Sequence, residues 1–124
     1  SDTAKICGIH LEGIFLNPEK KCIHNAADFL APTFENIKRV EDDFIKIMTI
    51  APELANHEVL KNLQDKGIKV QAGHCVGGDL SCCNGVTHTF NGMKGIAHRG
   101  KSTALSALIN DNIYAEVIAD GFKF

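Results

Sequence analysis

Short apolar runs recur along the chain, and each has the length and composition of a buried β-strand. Five such runs are rich in Ile, Val, Ala and Phe, and polar or turn-forming residues bound each of them. They cover residues 6–11, 44–50, 68–72, 86–90 and 113–119. We therefore predict five strands separated by polar segments.

Three of the segments between these runs have helical spacing. Phe34, Ile37 and Val40 recur at helical intervals within residues 33–40. Residues 53–66 place Leu54, Val59, Leu60 and Leu63 on one face, with Gly67 at the expected helix end, and residues 103–109 form a third helical stretch. Strands that alternate with helices predict a parallel sheet covered by helices. No repeat or linker divides the chain, so residues 1–124 are predicted to form one segment.

Polar side chains that can bind a metal follow the predicted strands. They are Glu12, Glu53, His74, His88 and Asp120. Parallel strands end at one face of the sheet, which holds the active site in βα barrels. A hydrolytic metal site needs about three ligands and one open position. Glu12, His74 and His88 can supply one carboxylate and two imidazoles, and a metal held there would activate water.

Several of these residues also have a purely structural interpretation. A single His at a strand end is more often hydrogen-bonded or exposed than a ligand. Glu53 can stabilise the start of the following helix. His10 shares a strand face with Glu12, and we expect it to have a supporting hydrogen-bonding role rather than to bind a metal. His57 lies within a predicted helix and is expected to face solvent.

The cysteines offer a competing type of site. Five cysteines at irregular spacing do not indicate a disulfide framework, and burial as small apolar groups is the first expectation. Cys75, Cys82 and Cys83 with His88 would form a thiolate zinc site. Six residues separate Cys75 from Cys82, which does not match the usual Cys-x2-4-Cys pairs.

Composition narrows the class of partner. The 124 residues carry a formal net charge of −2 and have no dense Lys/Arg stripe, no Trp and a single Tyr, so we do not expect nucleic-acid binding. No apolar run reaches the ~20 residues of a membrane helix. The first residues lack the pattern of a signal peptide, so the cytoplasm is the expected location.

A succession of short motifs is similar to the motifs of one known enzyme family. Residues 8–17 read GIHLEGIFLN, with Ile14 where the family usually has Pro, and residues 18–24 read PEKKCIH against the family's PEKKGAH. Residues 49–53 read TIAPE against TLAPE. Gly73-His74, residues 87–93 (THTFNGM), His98-Arg99 and residues 118–121 (IADG) follow in the family's order. In this order the motifs resemble those of the N-acetylglucosamine-6-phosphate deacetylases of the amidohydrolase superfamily, and the resemblance runs from about Gly8 to the last residue.

The resemblance implies an α/β fold that is part of a (β/α)8 TIM-type barrel, with about five parallel strands and intervening helices. It implies a divalent metal ion (Zn, Fe, Mn or Co) and a phosphorylated amino sugar that loses its acetyl group. The residues concerned are Glu12, His74 and His88 as metal ligands, His24 at the sugar or its amide, Asn91 and Gly92 bordering the substrate, and Arg99 at the phosphate.

The chain departs from the family pattern at four places. The family's catalytic aspartate lies beyond Phe124, and its Asp-Gly-x-His signature ends in Lys123 here. Thirteen residues, 75–87, separate His74 from His88 and leave little room for a crossover helix. Residues 100–102 replace the family's Glu-Pro-Gly.

These departures predict an incomplete or truncated segment that is nearly inactive alone. The alternative function is a catalytically inactive fragment that binds a metal or a sugar phosphate. Five strands do not close a barrel, so we also expect a homo-oligomer or dependence on missing barrel segments.

Overall fold

The computed structural model describes residues 3–77 and 79–121 and is organised around five short strands. They are β1 (Ile9–Leu11), β2 (Ile45–Ile50), β3 (Lys69–Ala72), β4 (Gly85–Val86) and β5 (Tyr114–Ala115). Every neighbouring pair is parallel, and the order in the sheet follows the order in the chain. This is the arrangement of a βα-barrel wall, which confirms the predicted fold class.

Within the described residues, three α-helices accompany the strands, in the three segments predicted to be helical. They are α1 (Phe34–Val40), α2 (His57–Asp65) and α3 (Thr103–Leu108). The hydroxyls of Thr33 and Ser102 accept backbone N–H bonds at the starts of α1 and α3. The prediction of one helix over residues 53–66 was wrong at its start. A 3-10 helix, Pro52–Leu54, comes first and ends at an extended Ala55, so α2 begins later.

Three predicted strands were too long. The fourth was predicted over residues 86–90 but is limited to Gly85–Val86, because His88 and Phe90 adopt φ of 32° and 77°. These left-handed conformations are incompatible with an extended strand. The fifth is limited to Tyr114–Ala115, and the first begins at Ile9.

The connection from β3 to β4 contains no helix among its described residues, 73–77 and 79–84, as its length predicts. Asn84 closes this connection onto the sheet. Its Oδ1 accepts bonds from the backbone N–H of Val70 at 2.9 Å and from Gln64 Nε2 at 3.0 Å. Lys123, which departs from the family signature, lies outside the described residues.

The core lies between β2, β3 and α2. Met48 and Val70 are fully buried in the sheet, and α2 contributes Val59, Leu60 and Leu63. Cys75 and Cys83 are also buried, and burial raises their thiol pKa values to about 11 and about 12. Within the described residues, no helix is long and apolar enough to cross a bilayer.

Truncation of Leu63 tests the importance of this core. Leu63 is 1% exposed in α2, whereas Leu108 in α3 is 55% exposed. Leu63→Ala should lower the free energy of unfolding by about 2–5 kcal/mol, since it removes buried methyl groups and leaves a cavity. Leu108→Ala is the matched control and should change it by less than about 0.5 kcal/mol. Equal effects in chemical denaturation would contradict this packing.

Candidate metal centre

Three side chains from different strand ends converge at the carboxyl edge of the sheet. Glu12 follows β1, His74 follows β3 and His88 follows β4. Glu12 Oε1 lies 2.8 Å from His74 Nε2 and 3.0 Å from His88 Nε2, and the two nitrogens are 3.1 Å apart. We call Glu12, His74 and His88 the triad. The parallel sheet brings together residues 62 and 76 positions apart in the chain.

His74 is the most constrained member of the triad. Its Nδ1 lies 2.7 Å from the carbonyl oxygen of Lys20, and its own carbonyl accepts the backbone N–H of Asn17 at 3.0 Å. A carbonyl oxygen only accepts, so Nδ1 carries the proton. In a neutral ring, Nε2 therefore directs its lone pair toward Glu12 and His88. This is the orientation that a metal-binding imidazole requires.

The charges within the triad reinforce one another. Hydrogen bonding to His74, and then to His88, holds the pKa of Glu12 well below its usual value. The same carboxylate raises the pKa of His88. His88 Nδ1 is buried without a hydrogen-bond partner in the described part of the chain. Three electron-rich atoms at this spacing need a positive charge between them, supplied by protons or by a metal ion.

The spacing of the triad fits a metal ion. Ligand bonds of about 2.0–2.1 Å place two ligand atoms roughly 2.9 Å apart at a right angle and about 3.4 Å apart in a tetrahedron. The separations of 2.8, 3.0 and 3.1 Å fall near the right-angle value. Within residues 3–77 and 79–121, this is the one group of His, Cys, Asp or Glu suited to a metal. Cys75, Cys82 and Cys83 with His88 do not form such a group.

The other predicted site residues lie at different distances from the triad. The ring of His24 packs edge-on against His74 with centroids 5.0 Å apart. The backbone N–H of Asn91 donates to the His88 carbonyl at 2.9 Å. Gly92 has φ of 62°, and a Cβ there would lie 2.9 Å from His74 Nδ1, so only glycine fits. Arg99 is exposed in the loop before α3.

Glu53 binds the loop that follows His74. Its Oε1 accepts a bond from Asn17 Nδ2 at 3.0 Å and another from the backbone N–H of Val76 at 2.7 Å. Glu53 therefore joins the ends of three strands beside the triad. The sequence placed Glu53 at a strand end and offered it as a residue at a helix start, but its contact with Asn17 was not predicted. Their polar character within conspicuous motifs was the available signal.

Two other histidines were assigned supporting or surface roles. His10 Nε2 lies 2.7 Å from Thr49 Oγ1, in agreement with a hydrogen-bonding role. His57 is the first residue of α2, and its side chain is 63% exposed. It lies 3.4 Å from Asp79, and neither belongs to the triad.

A parallel sheet whose carboxyl edge carries one carboxylate and two imidazoles is typical of metal-dependent hydrolases built on βα barrels. No family model matches the chain.

The known proteins that this chain resembles are sugar-phosphate deacetylases. The N-acetylglucosamine-6-phosphate deacetylase of Bacillus subtilis (strain 168) is 31% identical over 130 residues, and that of Homo sapiens is 34% identical over 138. Each alignment covers 95% of this chain and 33% of the relative. An N-acetylgalactosamine-6-phosphate deacetylase from Shewanella sp. (strain ANA-3) is 29% identical over 125 residues, 94% of this chain and 32% of the relative.

Solved structures give the same result. The crystal structure of N-acetylglucosamine-6-phosphate deacetylase from Thermotoga maritima matches with a TM-score of 0.84 and 28% identity, over 95% of this chain and 34% of that one. A mutant of the Mycobacterium smegmatis deacetylase in complex with N-acetyl-D-glucosamine-6-phosphate matches with a TM-score of 0.85 and 26% identity, over 94% and 34% of the two chains. The chain thus resembles these deacetylases along nearly its whole length and spans about a third of theirs.

Replacing Cys22 should stabilise the loop beside the triad. Cys22 is exposed with φ of 51°, and it stands where the similar family stretch has Gly. A left-handed non-glycine residue costs about 1–2 kcal/mol, and the greater unfolded-state freedom of Gly offsets about 0.5–1 of that. Cys22→Gly should raise the free energy of unfolding by about 0.5–1 kcal/mol, measured by chemical denaturation. Cys22→Ala is the control and should show no such gain.

The triad also predicts a pH dependence of stability in the metal-free protein. The pKa of Glu12 is lowered from 4.5, so its stabilising contribution is present above pH 4.5 and lost as pH falls further. The pKa of His88 is raised from 6.5, so its contribution is present below pH 6.5 and lost as pH rises. The destabilisation caused by Glu12→Gln should therefore be largest between these values. Exposed Glu58→Gln is the control, and a pH-independent effect of Glu12→Gln would contradict the coupling.

Proposed function

We propose that this chain forms the metal-binding part of a deacetylase that hydrolyses the acetamide bond of N-acetylglucosamine 6-phosphate, releasing acetate and glucosamine 6-phosphate. The convergence of Glu12, His74 and His88 at the carboxyl edge of a parallel sheet carries the proposal. The similarity to N-acetylglucosamine-6-phosphate deacetylases over 95% of the chain supports the choice of substrate. We treat residues 1–124 as one segment of the catalytic barrel.

Glu12, His74 and His88 are the proposed ligands of a divalent ion. When bound, such an ion lowers the pKa of water and polarises a carbonyl oxygen, the two requirements of amide hydrolysis. Lys20 holds the His74 ring in position through its carbonyl, and Glu53 fixes the loop after His74. One carboxylate with two imidazoles suits Zn, Fe, Mn or Co, so the metal depends on availability as well as on the ligands.

The surrounding residues are proposed to bind the substrate. His24, at 5.0 Å from the His74 ring, is near enough to contact the acetamide or sugar. Asn91 and Gly92, adjacent to His88 and His74, would border the sugar. Arg99 is exposed in a neighbouring loop, and its forked guanidinium suits a phosphate. We propose that an aspartate outside residues 1–124 transfers the proton, as the family resemblance implies.

The cytoplasm is the proposed location of this reaction. The five cysteines are free thiols, which fits a reducing compartment. The substrate class, a sugar phosphate, is consistent with this.

Replacing a ligand should remove both the metal and the activity. In the full gene product that contains this sequence, His74→Ala should abolish stoichiometric divalent metal and lower acetate release more than about 100-fold, because second-layer changes alone cost 10–100-fold. Metal analysis and an acetate assay with N-acetylglucosamine 6-phosphate measure the two effects. His57→Ala, an exposed His in α2, is the matched control and should change neither.

The outcomes of this experiment separate three interpretations. Metal bound through His74 without acetate release would favour an inactive metal- or sugar-phosphate-binding protein. Metal retained in His74→Ala but lost when Cys82 and Cys83 become Ser would favour a thiolate site. Release of acetate from metal-free protein would overturn the proposed role of the triad.

A further inference from the structure

A continuous row of hydrogen bonds crosses the sheet next to the triad. It joins one polar side chain from each strand or strand end: His10, Thr49, Thr87, Gln71 and Glu116. The links are His10 Nε2 to Thr49 Oγ1 at 2.7 Å, Thr49 Oγ1 to Thr87 Oγ1 at 2.8 Å, Thr87 Oγ1 to Gln71 Oε1 at 2.8 Å, and Gln71 Nε2 to Glu116 Oε1 at 2.9 Å. We call these five residues the polar row.

The polar row has a single direction, set at its Glu116 end. A carboxylate only accepts, so Gln71 must present its NH2 group to Glu116 and its oxygen to Thr87. The single hydroxyl proton of Thr87 is therefore donated to Gln71. Thr87 must then accept from Thr49, and Thr49 must accept from His10. His10 is left with one option, a proton on Nε2.

The centre of the row is buried, which makes its completeness important. Thr49, Gln71 and Thr87 are 1%, 7% and 3% exposed. A buried polar group without a partner costs free energy, so a break in the row is unfavourable. Gly73 makes the row possible, since a Cβ there would lie 2.6 Å from the Thr49 methyl group and 3.2 Å from Thr87 Cβ.

Each member of the triad is close in sequence to a member of the polar row. Thr87 immediately precedes His88, and His10 lies on β1, which ends just before Glu12. Gly73 immediately precedes His74 and lies close to the side chains of Thr49 and Thr87. Movement of the row would therefore move the ligand-bearing strand ends. Glu116 is the distant end, four strands away from His10 in the sheet order.

We infer that the polar row positions the triad and that the Glu116 carboxylate fixes its direction, holding His10 with its proton on Nε2. The positioning part rests on the proposed metal binding by Glu12, His74 and His88. The direction of the row does not, because it follows from donors and acceptors alone.

The positioning role is tested at Thr49 in the full gene product. Thr49→Val keeps the shape but removes the hydroxyl, and should weaken Zn2+ binding about 10-fold or more in competition with a chelating dye. Thr49→Ser keeps the hydroxyl and should restore binding to within about threefold of the unsubstituted protein. Unchanged affinity in Thr49→Val overturns the positioning role.

The direction is tested at pH 7 by the 15N chemical shifts of His10 in metal-free protein, assigned through loss of the signal in His10→Gln. The unsubstituted protein should show a protonated Nε2 and an unprotonated Nδ1. Glu116→Gln lets the end residue donate as well as accept, so His10 should become a mixture of tautomers. Exposed Glu58→Gln is the control and should leave the His10 signals unchanged.

These measurements separate the two parts of the proposal. A His10 proton on Nδ1 in the unsubstituted protein, or identical His10 signals in Glu116→Gln, overturns the inferred direction even if Zn2+ binds. Failure of the unsubstituted protein to bind Zn2+ overturns the proposed function and the positioning role, while the tautomer result still decides the direction. Glu116 is exposed, so its replacement remains informative if Thr49→Val does not fold.

Discussion

The hydrogen bond between His74 Nδ1 and the carbonyl of Lys20 governs the rest of the site. It places the imidazole proton on Nδ1 and leaves Nε2 to face Glu12 and His88. His74 adopts a left-handed φ of 46°, which is unfavourable for a residue with a Cβ. The hydrogen bond that His74 Nδ1 donates to the Lys20 carbonyl, and the one that the His74 carbonyl accepts from the Asn17 N–H, compensate for this strain. Strain held at one position by several neighbours is typical of functional sites.

The parallel sheet supplies the second requirement. Glu12, His74 and His88 are separated along the chain, and their side chains meet because the strands that precede them end at the same edge of the sheet. The short connection between β3 and β4 is consistent with this, since Asn84 pairs with Val70 and sets the two strands side by side. A crossover helix is not needed to bring His88 beside His74.

The apolar pattern was sufficient to predict β2, β3 and α1, because buried strands and amphipathic helices have strong periodic signals. It failed after Val86, where Thr87 and Thr89 have strand propensity but His88 and Phe90 adopt positive φ. Backbone conformation of that kind has only a weak compositional signal, because Gly adopts it freely and Asn, Asp and His are merely enriched there. β1 and β5 are also shorter than predicted. Both lie at an edge of the sheet, where a strand has one neighbour to pair with instead of two.

The same distinction applies to the candidate site. Motifs identified Glu12, His74 and His88, because metal-binding side chains are few and their positions at strand ends are conspicuous. The role of Lys20 was not predictable, since it acts through a carbonyl that every residue has. Thr49 and Gln71 had a weak signal as single polar residues within apolar strands. Their partners became evident only when the strands were placed in register.

The members of the triad differ in their access to solvent, and this difference has a chemical consequence. The His74 side chain is 4% exposed, whereas those of Glu12 and His88 are 27% and 20% exposed. Gly92 and the carbonyl of Lys20 lie against the His74 ring, so Glu12 and His88 form the more accessible side of the triad. A hydrolytic metal needs one fixed set of protein ligands and one open position. If the triad holds a metal ion as proposed, the buried His74 would supply a fixed ligand, and the more accessible Glu12 and His88 would leave room for the open position.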